Sequence, residues 1–241
     1  MQSKNIFGDF KDILKKVDKS DITQLYCECV KHASHRTQEY FAFKDPENTF
    51  RPSPMVLSDI FQMSYITRSV QLHLTRHLNC TTMTKEQVIL LGTDWVWAVL
   101  HFPTKNPKLQ IAVQVFHQPE EENYVPHNRT QMLTESMEIA TLESSDKTKQ
   151  EKMIAFCSSV GRDCYALFLF FGLLKDPTNI YGVLSNNFQA AFGKGVKIDR
   201  AFIENFFKGS ISYITPGKMM QSILNNRKEH EEPLTVFVKF T

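Results

Sequence analysis

Several things are scarce in this chain of 241 residues, and each scarcity excludes something. Charge of one sign is not in excess: Lys plus Arg number 28 and Asp plus Glu 26, a net of +2. That balance gives no electrostatic reason to expect DNA or RNA. Long apolar runs are absent. The longest, CYALFLFFGLL from Cys164 to Leu174, falls far below the ~20 residues of a spanning helix. No secretory h-region opens the chain, and Gln2 stands where N-myristoylation needs a glycine. The C-terminus carries no CaaX box, so the expectation is a cytosolic protein without a lipid of its own. Cysteines are five, Cys27, Cys29, Cys80, Cys157 and Cys164, odd in number and irregular in spacing. They read as reduced thiols, which makes the N-x-T triplets at Asn79 and Asn128 chance matches.

Catalytic signatures are lacking as well. FGKGVK, Phe192 to Lys197, holds a G-x-G but neither a Walker spacing nor G-x-G-x-x-G. No paired-carboxylate arrangement and no G-x-S-x-G occur. His73 and His77 stand four apart in HLTRH, a spacing that can hold zinc on a helix, but Leu74 occupies the place of a zincin's glutamate. A solvated face is the plainer reading. Cys27 and Cys29, near His32 and His35, point to different sides of one helix. A thiol- or metal-dependent enzyme using Cys157, Cys164, His73 or His77 is the alternative kept open; a binding protein with no catalytic residue, cofactor or metal is the expectation.

What is present is ordinary globular material, 42% hydrophobic and 22% charged, with 19 Phe for dense packing. Residues 1–19 form an amphipathic segment with Ile6, Phe7, Phe10, Ile13, Leu14 and Val17 at helical spacing. Its lysines are interleaved with aspartates, which favours docking on the protein over lying on a membrane. Residues 20–241 read as one α+β domain. Helices come first: one from Ser20 to before Pro46, one from about Pro54 to Leu78, and one opened by the capping box T-K-E-Q at Thr84 and stopped by Gly92. A β-hairpin follows, Trp95–Phe102 with Leu109–His117, then an acidic loop to about Asn128. Helices near 130–142 and 146–161 precede CYALFLFFGLL, whose apolar residues on both sides predict a central strand. Helices near 180–191 and 199–208, a strand SISYIT, a helix from Pro216 and a last strand LTVFVKF complete a mostly antiparallel sheet with inserted helices.

Both tryptophans lie in the hairpin. Pairing Phe102 with Leu109 puts Val96, Ala98, Leu100 and Phe102 on the core side. Trp95, Trp97 and His101 then share the other side with Gln114 and Phe116. An aromatic face diluted by Gln and His is the sequence's candidate partner interface. A helix covering that face, or a register slip of one residue, would make the indoles core instead, and the rarity of such exposed faces favours burial.

Three stretches carry a family likeness: Thr82–Phe116 (TMTKEQVILLGTDWVWAVLHF through KLQIAVQVF), Glu151–Gly172 (EKMIAFCSSVGRDCYALFLFFG) with KDPTNIYGV, and the weaker GKGV…FIENF…SISYI…ILNN. They resemble the family of Rab effectors named for the Rab-fifteen GTPase. The resemblance implies a non-catalytic cytoplasmic protein that binds GTP-loaded Rab GTPases and acts in receptor recycling, recruited to early and recycling endosomes through the lipids of its Rab. It assigns no contact residues.

Overall fold

The computed structural model describes residues 19–41, 43–47, 49–50, 52–101, 104–117, 135–143, 146–173, 176–188, 190, 193, 197–208, 212–229 and 233–241. The N-terminal amphipathic segment up to residue 18, the acidic loop after His117 and most of FGKGVK lie outside the described residues.

Seven helices and six strands make up the described chain. In order they are α1 (Lys19–Phe41), α2 (Pro54–Gln71), β1 (Leu78–Thr82), α3 (Lys85–Leu91), β2 (Trp95–Leu100), β3 (Pro107–His117), α4 (Glu135–Glu143), α5 (Lys149–Val160), β4 (Cys164–Leu173), β5 (Asp176–Ser185), α6 (Arg200–Lys208), α7 (Pro216–Glu229) and β6 (Thr235–Lys239). The strands form one sheet in sequence order, β1 to β6. Every neighbour pairs antiparallel except β3 with β4, which run parallel. A parallel pair needs a crossover, and α4 and α5 lie in it. The α+β class is as the sequence predicts.

Side chains alternate across the sheet, and helices cover both faces. On one face Trp95, Trp97, Ile111, Val113, Leu167, Leu169, Ile180 and Val238 pack under Tyr26 and Val30 of α1, Phe61 and Tyr65 of α2 and Met219 and Ile223 of α7. On the other, Val96, Ala112, Phe168, Phe170 and Val183 pack with Met153 and Cys157 of α5 and Ile203 of α6. This explains why CYALFLFFG reads apolar on every side: residues 164–172 of the central β4 are all buried.

Local signals hold where the chemistry is local. Thr84 Oγ1 accepts the Gln87 amide at 3.3 Å while Gln87 Oε1 accepts the Thr84 amide at 2.9 Å, the reciprocal cap predicted for α3. Gly92 ends that helix at φ +66°, and its carbonyl accepts Gln114 Nε2. Asp94 does more than close a turn. Its Oδ2 accepts the Val115 amide at 2.7 Å and its Oδ1 meets Lys149 Nζ at 2.8 Å, joining β2, β3 and the first turn of α5.

Three elements differ from the sequence reading. The second helix stops at Gln71 rather than Leu78; His73 turns left-handed at φ 55°, and Leu78–Thr82 becomes the edge strand β1. Residues 180–185 are strand, not helix, because β5 lies between β4 and β6 with Ile180 to Ser185 all buried and no period of two to read. Of SISYIT, Ile214 makes a single parallel bridge to Val238, and residues 210 and 211 lie outside the described residues.

Candidate partner interface

The hairpin register moves the predicted aromatic face indoors. Trp97 pairs with Ile111, whereas pairing Phe102 with Leu109 would have set it opposite Gln114. The offset is odd, so the faces exchange. The strand β2 ends at Leu100, the ladder shifts between Val99 and Leu100, and Leu100 meets Pro107. Trp95 and Trp97 are 0% and 1% exposed. Trp97 meets Tyr26 edge-on at 5.5 Å, Tyr65 at 5.2 Å and Trp95 at 5.7 Å between ring centroids. Its indole N–H approaches the Cys80 thiol, which burial pushes up to about 12. Gln114 and Phe116 point to the opposite face of the sheet and are buried there too. Phe116 lies against Phe168 and Phe170, with the Arg200 guanidinium 5.6 Å from its ring centre. Only His101 of the five is exposed. The five candidates are therefore not one face, and four of them are not at the surface.

The chemical alternatives are dispersed as well. His73 and His77 flank a short 3-10 turn, Leu74–Arg76, instead of sharing a helix face, so the i, i+4 geometry is lost. Cys157 sits in the apolar cluster under α5, its thiol hydrogen-bonded with that of Cys164; that bond and burial push its pKa up, away from the nucleophilic thiolate. Burial likewise holds Cys29 up at about 12. Among the described residues no group of three or more His, Cys, Asp or Glu is placed to hold a metal ion. One imidazole is partly enclosed. His117 at the end of β3 bonds Ser58 Oγ at 3.2 Å through Nε2, and burial, with Lys149 and Arg200 nearby, depresses it to about 4.

What the surface does present is apolar, and it lies on α2. The helix is built with two apolar sides. Phe61 and Tyr65 face inward, and polar neighbours fasten the same side. Arg68 pairs with Glu28 of α1, Gln62 Oε1 accepts the Thr82 hydroxyl of β1 at 2.7 Å, and Ser58 bonds His117 of β3. Opposite them Val56 is 41% exposed, Met63 59%, Ile66 38% and Val70 56%. With the exposed Asp59, these positions are spaced 3, 4, 3 and 4 residues apart, one stripe along the helix about 21 Å long at 1.5 Å per residue. Met55, 64% exposed, lies in the first turn of the same helix, whose N-terminus is fixed by Ser53 Oγ accepting the Val56 amide at 3.3 Å.

The turn before α2 adds two aromatics. Phe43 and Phe50 stack edge-on, centroids 6.0 Å apart, and both are exposed. A single carboxylate holds that turn. Asp45 accepts the Thr49 hydroxyl at 2.7 Å and the amides of Phe50, Thr49 and Glu47 at 2.8, 2.8 and 3.2 Å. The Thr49 hydroxyl first, then the Phe50 and Thr49 amides, hold its pKa down at about 2. Of the twelve large hydrophobic side chains exposed among the described residues, seven belong to residues 43–70. Isolated exposed apolar residues need no explanation, but such a concentration does. The signal was present in the sequence: between Pro54 and Gln71 the only charges are Asp59 and Arg68, so apolar residues recur on both sides of the helix.

A protein of Mus musculus named Rab15 effector protein is 26% identical over 210 residues, covering 87% of this chain and 87% of its own. The family described as Rab15 effector matches residues 11–240. This chain belongs to the Rab15 effector family.

Proposed function

We propose that this chain is a non-catalytic adaptor that binds Rab GTPases in their GTP-loaded state and serves receptor recycling from endosomes. The observation that carries the reading is the apolar surface of residues 43–70, displayed on α2 and the turn before it in a chain whose family is named for a Rab effector. Effectors discriminate nucleotide states by touching segments that the γ-phosphate orders and hydrolysis releases. Such recognition needs surface complementarity and no nucleotide site in the effector, in accord with the missing phosphate loop.

No helix among the described residues is long and apolar enough to cross a membrane. In this reading the adaptor is cytoplasmic and is recruited to early and recycling endosomes through the lipid anchor of the bound GTPase. The test is a pull-down of the full chain across a panel of Rab proteins, each loaded with a non-hydrolysable GTP analogue or with GDP. Capture of one or more Rabs only with the triphosphate analogue is the expected result. Equal capture in both states, or none in either, refutes it.

A further inference from the structure

We propose that the outer stripe of α2, Val56, Asp59, Met63, Ile66 and Val70, is the docking surface for the GTPase, and that the partner sets a cationic group against Asp59. This rests on the function proposed above and deepens it by naming the surface.

The geometry selects the kind of occupant. The stripe runs about 21 Å along the convex side of one helix, a shape that suits an extended macromolecular strip rather than the concave enclosure of a small molecule. Its 3–4 spacing repeats every seven residues, so the stripe drifts by only about 40° around the helix over its two heptads and can meet one partner strip. The inner side of α2 is anchored to α1, β1 and β3, so the ridge is preorganised and docking need not order it.

Asp59 decides between a second copy and a different partner. It is the one charge inside the stripe, and it is exposed. An antiparallel self-pairing centred on Met63 would press each Asp59 near Ile66 and Thr67 of the other copy. A parallel one would oppose the two carboxylates. Either arrangement desolvates charge without a counter-charge to compensate it, which disfavours self-pairing. A partner that offers an apolar strip and one Lys or Arg satisfies both the ridge and the carboxylate.

The experiment uses the full chain with Met63→Glu, Ile66→Glu and Asp59→Lys, each checked by thermal melting, and the Rab that the wild-type chain captures in its triphosphate form. Exposed substitutions at these sites leave the melting temperature within a few degrees. Met63→Glu and Ile66→Glu each weaken the complex by about 30-fold or more, the scale of central interface residues. Asp59→Lys weakens it about tenfold and reduces its salt dependence. Wild-type chain that captures no Rab fails the function and this surface together. Wild-type capture with unchanged affinity in folded Met63→Glu and Ile66→Glu overturns the surface alone. In that second case, loss of a dimer by light scattering in the same variants assigns the ridge to a second copy. Faster deuterium uptake over residues 56–70 on deletion of residues 1–18 assigns it to the chain's own N-terminal segment.

Discussion

Replacing Trp97 by alanine separates a core indole from a contact indole. The side chain is 1% exposed, and Tyr26, Tyr65 and Trp95 surround it with centroids 5.5, 5.2 and 5.7 Å away. Truncating a buried tryptophan costs about 3–5 kcal/mol in transfer and cavity terms. Whole domains are stable by only about 5–15 kcal/mol, so this is a large fraction. For a chain of this length each kcal/mol moves the melting temperature by about 2–4 °C, so the variant should melt roughly 6–20 °C lower. Affinity for a partner, measured well below that melting point, should be unchanged. Trp97→Phe retains ring contacts with the same neighbours and should fall about midway. Differential scanning calorimetry gives the melting temperature. Tryptophan fluorescence is a second readout, because the two indoles of the chain both lie in this cluster and should emit as buried chromophores. A Trp97→Ala protein that melts within about 2 °C of wild type yet loses its partner would refute the buried placement and the β2–β3 register that produces it.

Two further outcomes test the packing elsewhere. His117 is depressed to about 4 by burial first and then by Lys149 and Arg200, while an unfolded chain titrates its histidine near 6.5. The unfolded state therefore binds the extra proton between those values. The stability tied to a neutral His117 is complete above pH 6.5, is reduced by at most about 2 kcal/mol at pH 5, and falls further toward pH 4. Urea midpoints at pH 7.5 and 5 should show this decline in wild type and a smaller one in His117→Gln; equal declines would defeat the assignment. Gly92 and Gly161 separate two reasons for glycine. A Cβ on Gly161, at φ +112°, meets nothing within 4 Å, so Gly161→Ala carries only backbone strain of about 1–3 kcal/mol. A Cβ on Gly92 falls 2.0 Å from the Lys149 carbonyl, so Gly92→Ala must also displace the first turn of α5. The larger loss in melting temperature belongs to Gly92→Ala; similar losses would mean that α3 and α5 do not approach so closely.

How much of this was legible in the sequence depends on how local the physics is. The Thr84 box and the Gly92 stop are settled within a few residues, and both stand as read. The central β4 was legible because burial on two faces leaves a continuous apolar run. The same two-sided burial hid β5. IYGVLS has no alternation to mark it as strand, and its identity comes from β4 and β6, which lie far off in sequence. It also inverted the face expected for the tryptophans, whose burial the sequence favoured but whose register it misplaced. A face carrying Gln and aromatics is the outer one only in sheets wet on one side. With helices on both sides either register is buried, and Gln114 is accommodated by the Gly92 carbonyl. β1 was missed because LNCTT is a mostly exposed edge strand joined to the end of a helical pattern.

The surface on α2 was missed for the complementary reason: apolar periodicity is ordinarily read as a pointer to the core. A helix with one apolar side has one place to go. A helix with two sides has a choice that only the fold makes, and here the sheet and α1 take the side with Phe61 and Tyr65. The side left over carries little of the stability. Met63, more than half exposed, contributes a small fraction of the ~1.5–3 kcal/mol that full burial of such a side chain would give. Substitution there is cheap for folding and can be expensive for binding, whereas at Trp97 the order is reversed. An interface on this ridge can therefore change its partner preference without disturbing the fold that holds it rigid. The buried indoles have no such freedom: any change that re-aimed them would first dismantle the packing between α1, α2 and the sheet.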